Sequence, residues 1–153
     1  MSFLKTTIAT ALTATIAIVL SGCATNPPTP PFRPVVNVMD LMESSITHAA
    51  EVYWDSTAVV VDADGIQELF PETDEDWDQV WAAAVTIAES GNLLMMAPRR
   101  VDDGLWMQYA RQLVDAGNVA IEAAVARDPE RVLDAGEVVY NACTVCHTAY
   151  VTD

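Results

Sequence analysis

Near the C-terminus, Cys143-Thr144-Val145-Cys146-His147 sets two thiols three positions apart, with an imidazole directly after the second. Positions three apart share a helix face, so both sulfurs can reach one edge of a flat ligand. That geometry suits two thioethers to the vinyl groups of a porphyrin, with the imidazole of His147 turned toward an iron as its proximal ligand. The spacing is that of c-type haem attachment and implies haem c, one per chain. The same residues also read as a redox-active CxxC pair, as half of a zinc site or as a chance match. A zinc site wants four ligands, and His48 is the only other imidazole. No strand-turn-helix pattern of a thioredoxin kind surrounds the pair.

The elements that must position this motif are helices. Four segments carry helical periodicity, separated by Gly, Pro and Asp, and none reads as a strand. The first runs from about Val35 to Asp55, with Val35, Val38, Met42, Ile46, Ala49 and Tyr53 within roughly 40° of one direction. The second starts at the cap Thr73, carries Asp74, Glu75 and Asp76 in its first turn, and ends near Met96 before Pro98. Its apolar stripe is Trp77, Val80, Trp81, Ala84, Ile87, Ala88, Gly91 and Met95.

The third helix spans about Asp103 to Arg127 and buries Leu105, Tyr109, Leu113, Ala116, Ala120 and Ala123 or Ala124; its alanines imply close helix contact. Asp128-Pro129 opens the fourth, a side-chain acceptor followed by proline at the first helical position. That helix turns Val132, Leu133, Gly136, Val139 and Tyr140 inward and delivers Cys143, Cys146 and His147 near its end. Between the first two helices, Ser56 to Pro71 is expected to be a long connection with room for a short helix. The fold class expected is all-α: an antiparallel four-helix bundle with a long connection between helices 1 and 2 and haem on the C-terminal helix.

The N-terminus carries a different chemistry. Lys5 precedes an apolar run from Thr6 to Leu20, too short to span a membrane and suited to a signal sequence. It ends in Leu20-Ser21-Gly22-Cys23, which resembles the lipobox of bacterial lipoproteins. The resemblance implies a signal peptide at 1–22, cleavage before Cys23 and lipidation of its sulfur. Residues 23–34 hold five prolines and are expected to be an extended tether, leaving 35–153 as the folded domain. Lipidation of Cys23 leaves two cysteines, both in the CxxCH motif, so no disulfide framework is available. Export to the periplasm would place them where haem is attached, and Ala24 after Cys23 is compatible with passage to the outer membrane.

The chain has 22 Asp and Glu against 7 Lys and Arg, a formal charge of -15. Such a surface repels nucleic acid, and a protein partner met by electrostatic steering should present a basic patch. The abundance of Asp and Glu makes their proximity uninformative. No nucleophile triad or phosphate loop argues for a hydrolase or transferase, so the chain is not expected to be an enzyme.

The bundle and its terminal Cys143-Thr144-Val145-Cys146-His147-Thr148-Ala149-Tyr150 resemble the class II c-type cytochromes, cytochrome c′ and its low-spin relatives, which carry CxxCH on the last of four helices. Tyr150, three after the histidine, is similar to that family too. Val151 departs from it, because cytochrome c′ usually has a basic residue there, and the first connection is unusual for it. The resemblance implies that the first helix faces the distal side of the haem. Met42, at the centre of that helix's stripe, is then the candidate sixth ligand. Met39, about 60° to one side, is second choice, and His48 lies about 120° away toward solvent.

A methionine on an apolar stripe is also ordinary core filler, and an open distal side is the remaining arrangement. Met95 and Met96 read as packing. Trp77, Trp81, Trp106, Tyr109 and Tyr140 read as core or as porphyrin contacts, and Arg99 and Arg100 as a solvated pair or as partners of haem propionates. Two functions follow from the resemblance: single-electron transfer in the periplasm, or binding of NO or CO by five-coordinate iron as a sensor or scavenger. Pairing of two bundles as a homodimer also belongs to that family's pattern.

Overall fold

The computed structural model describes residues 32–151. The expected signal at 1–22, Cys23 and tether residues 23–31 lie outside them. The first helix begins where Asn37 accepts a hydrogen bond from the backbone N–H of Asp40 at 2.9 Å, a side-chain cap. This helix, α1, covers 38–55 in three stretches: α-helical at Val38–Leu41, π-helical at Met42–Ile46, and α-helical again at Thr47–Asp55. The π turn closes with the N–H of Thr47 bonded to the carbonyl of Met42, one residue wider than an α turn. Val35 was expected on the buried stripe, but it precedes the cap and is exposed.

The connection from 56 to 73 is neither irregular nor helical, which corrects the expectation of a short helix. It is an antiparallel hairpin, β1 at Ala58–Asp62 and β2 at Gly65–Leu69, with Val61 opposite Ile66 and Val59 opposite Glu68. The β-branched run Val59-Val60-Val61 favours the extended chain. Asp62 then accepts from the N–H of Asp64 and of Gly65 at 2.9 and 3.1 Å, folding the turn. Gly65 sits at φ 134°, where a Cβ would be strained. The described residues are therefore mostly helical with one small sheet.

Helix α2, Asp74–Met95, starts with a full capping box: Thr73 accepts from the N–H of Asp76, and the Asp76 carboxylate accepts from the N–H of Thr73. Helix α3 is Leu105–Ala126, and α4 is Pro129–Tyr150 with Asp128 accepting from the N–H groups of Glu130 and Arg131. Helix α1 packs on α2 and α4, and α3 packs on α2 and α4. The α2–α3 contact is antiparallel and close. Ala88 meets Gly117, Gly91 meets Ala110 and Val114, and Asp74 pairs with Arg127 at the far end. The two glycines are required there, because a Cβ on either would lie 2.5 Å from the facing helix.

The core gathers Tyr53, Val80, Ile87, Val132 and Val139 around a layer of alanines from α2 and α3. The buried face of each helix is slightly turned from the sequence expectation. Trp106 and Ala110 take the inner positions on α3, leaving Leu105 exposed. Ala135 and Ala142 do so on α4, leaving Leu133 and Tyr140 exposed. On α2, Ala83 and Ala84 face inward and Trp81 is exposed. Small side chains let the helices approach until the larger neighbours are pushed to the rim.

Candidate functional site

Helix α4 buries Val139 and Ala142 and then carries Cys143 and Cys146, both half-buried, one turn apart on one side, with His147 beside them and exposed. The threonines between and after them are held by their own helix: Thr144 donates to the carbonyl of Tyr140 at 2.9 Å and Thr148 to that of Thr144 at 2.8 Å. Past His147, Tyr150 fixes the end of the helix. Its ring stands edge-on to Trp106 at 5.1 Å and to Tyr109 at 6.3 Å, and its hydroxyl donates to the Asp102 carboxylate.

Cys143, Cys146 and His147 line a cavity of ≈ 410 Å³ to which all four helices contribute side chains. Helix α1 contributes Met42, Ile46, Thr47, Ala50 and Trp54; α2 contributes Leu94; α3 contributes Trp106, Tyr109 and Leu113. The volume falls within the range of cofactor sites, and the lining is mostly apolar. Both indole N–H groups are engaged elsewhere, Trp54 on the carbonyl of Gly136 at 3.0 Å and Trp106 on that of Leu94 at 2.8 Å. What these two residues offer the cavity is therefore hydrocarbon.

Burial pushes the thiol of Cys143 above its ordinary pKa, and the neighbouring Cys146 adds to this; burial alone does the same to Cys146. Reactive CxxC pairs have their thiols shifted the other way, toward thiolate. Among the described residues, no three His, Cys, Asp or Glu side chains converge to hold a bare metal ion. Two thiols and an imidazole lining an apolar cavity are groups that could hold a haem: sulfur for the ring edge, nitrogen for the iron, hydrocarbon for the ring faces.

Of the other candidates, Met42 lines the cavity from α1, whereas Met39 is 65% exposed and is not part of the lining. His48 faces a different cleft with Glu51, Asp55 and Glu68. Met95 and Met96 are half-buried and outside the lining, as is Trp77 in the core. Trp106, Tyr109 and Tyr140 do line it, with Tyr140 largely exposed and edge-on to Trp54 at 6.1 Å. Arg99 and Arg100 are not a solvated pair. Arg99 is 6% exposed and donates to the carbonyls of Val36 and Leu93 at 3.0 and 3.3 Å, while exposed Arg100 pairs with Asp103.

Sequence reasoning did not single out Trp54, Leu94 or Asp102. Trp54 was detectable, since Met42, Ile46, Ala50 and Trp54 recur every four residues. Leu94 and Asp102 join the site from other elements and leave no periodic trace. No family model matches the chain, and neither curated proteins nor solved structures yield a match to it.

Proposed function

We propose that this chain is a c-type cytochrome that carries single electrons through one covalently bound haem, on an antiparallel four-helix bundle of the class II kind. The observation that carries the reading is the shared cavity: Cys143, Cys146 and His147 of α4 line it together with Met42 of α1. The packing of α1 and α3 each against both α2 and α4 supports the bundle.

Haem bound there supplies reversible one-electron chemistry at its iron. Cys143 and Cys146 would hold it by thioethers, which fixes its edge to α4. His147 would offer an imidazole nitrogen to the iron, and Met42 a thioether sulfur. Thioether ligation and an apolar surround both favour the ferrous state and raise the potential, which suits electron transfer. Ile46, Ala50, Leu94 and Leu113 line the cavity with hydrocarbon that would keep water from a bound haem. With Cys23 lipidated, the domain would be held at a bacterial membrane in the periplasm, and its charge, -16 once Lys5 leaves with the signal (6 Arg against 22 Asp and Glu), would steer it to a redox protein with a basic patch.

A second reading, binding of NO or CO, draws on the distal wall. Apart from Met42, which is only half-buried, Ile46, Ala50 and Leu94 offer iron no donor there. Absorption spectra of the haem-loaded protein and of Met42→Ala, reduced and oxidised, with and without carbon monoxide, separate the two. A sharp low-spin reduced spectrum that resists carbon monoxide until Met42 is removed is expected. A high-spin spectrum that shifts at once would replace electron transfer with gas binding, and failure to attach haem covalently would overturn both.

A further inference from the structure

The hairpin stands apart from the chemistry of the cavity. Buried Thr57 and Pro71 anchor its two ends, but from Ala58 to Leu69 no residue joins the core. Its apolar side chains face solvent: Val61 and Ile66, cross-strand partners, are each 71% exposed, and Val59, Leu69 and Phe70 are exposed as well. A lone two-stranded ribbon is marginal in water, and among the described residues neither of its outer edges has a strand paired to it. The bundle gains little from it.

Charge identifies what would cover it. From Pro34 to Pro98 the chain has thirteen Asp and Glu and no Lys or Arg. The hairpin itself carries Asp62, Asp64 and Glu68. At its base, Glu68, Leu69 and Phe70 join Glu51 and Asp55 of α1 and Asp76 of α2 around a cleft of ≈ 680 Å³. His48 is the one titratable base in that lining, and no Lys or Arg is found there among the described residues. A second copy of the hairpin would bring like charges together, and an anionic lipid surface would be repelled in the same way.

We infer that the hairpin is a docking strand for an extended basic segment of a partner protein, which pairs with a free edge of the ribbon and sets its cationic side chains against the acidic cleft. Main-chain hydrogen bonds would supply affinity, and the alternating Val59, Val61 and Ile66 face would receive apolar side chains of the incoming strand. The acidic residues give selectivity, since they oppose self-pairing while admitting a basic strand. This inference does not depend on haem, and the surface is separate from the cavity.

The test uses the full chain and a synthetic peptide about ten residues long, alternating Lys and Val, with a Glu and Val peptide as control. Titration calorimetry at low ionic strength should detect the Lys peptide alone. Amide exchange across Ala58–Asp62 and Gly65–Leu69 should then slow by about tenfold or more. The pair Glu68→Lys with Glu72→Lys, both exposed, should weaken binding by at least about tenfold while the helical signal stays unchanged. Val61→Ser with Ile66→Ser should do the same.

Failure to bind, or binding with protection elsewhere and none on the hairpin, would overturn the inference. So would self-association that Val61→Ser with Ile66→Ser abolishes, which would make the occupant a second copy. Protection of the hairpin by vesicles of phosphatidylethanolamine and phosphatidylglycerol would make it a lipid surface instead.

Discussion

The Tyr150 hydroxyl donates a hydrogen bond to one oxygen of the Asp102 carboxylate, whose other oxygen accepts from the backbone N–H groups of Gly104 and Trp106. One acid thus ties the last turn of α4, one turn beyond His147, to the first turn of α3, whose Trp106 forms a cavity wall. The phenol holds Asp102 below its ordinary pKa, and the carboxylate pushes Tyr150 up to about 12.

These shifts predict a pH dependence with two limbs. A depressed aspartate contributes stability that is present above its unfolded pKa and lost as pH falls through the folded value. A raised tyrosine contributes stability that is complete below its unfolded pKa and lost as pH rises through about 12. Tyr150→Phe keeps the ring contacts and removes the bond. It should be less stable than the parent near neutrality, with the gap closing in strong acid and strong base. Urea midpoints across pH measure this, and a gap that stays constant in acid would refute the assignment.

Gly117→Ala should destabilise the fold. The new Cβ would lie 2.5 Å from the backbone of Ala88, and neither helix backbone can yield without disturbing the alanine layer. Overpacking of this kind costs about 1–3 kcal/mol, read as a lowered denaturation midpoint with the slope unchanged. A midpoint equal to the parent's would mean that α2 and α3 are further apart than described.

Thr73→Ala should lower stability by about 1 kcal/mol, because it removes the acceptor for the N–H of Asp76 and half of the capping box. Thr73→Ser should restore most of the loss. If serine were no better than alanine, the hydroxyl would not be the stabilising group.

On the proposed cofactor, single replacement of Cys143 or of Cys146 by Ala should leave haem attached by one bond, and the double replacement should leave it extractable by acid and organic solvent. Pigment resisting extraction in the double variant would show that attachment does not run through these thiols.

The helix limits were legible because their signals act over three or four residues. Thr73 with its acidic first turn and Asp128 with Pro129 are local hydrogen-bonding or φ-setting signals, and each begins a helix, whereas the cap at Asn37 was not read and the first helix was expected from Val35. Cys143, Cys146 and His147 share a side of α4 for the same reason, since a three-residue spacing on a helix does not depend on anything distant. The hairpin was misread although its signals were present. Val59-Val60-Val61 and Asp62-Ala63-Asp64-Gly65 form a strand and a turn, but the ribbon lacks a buried face and so lacks the apolar alternation by which strands are recognised.

By itself, then, the sequence determined the helices, their order and the chemical types gathered at the end of α4. Tertiary structure decided which side chains share the cavity with them. Met42 lines it and Met39 does not, and a π turn at Met42–Ile46 breaks the constant 100° step on which helical counting relies. Leu105, Leu133 and Trp81 were displaced from the core by alanines and glycines that let neighbouring helices close in. Asp102 reached Tyr150 across 48 residues. Local signals set where a helix starts and stops, but the direction it faces depends on the partner it packs against, and that partner is distant in the chain.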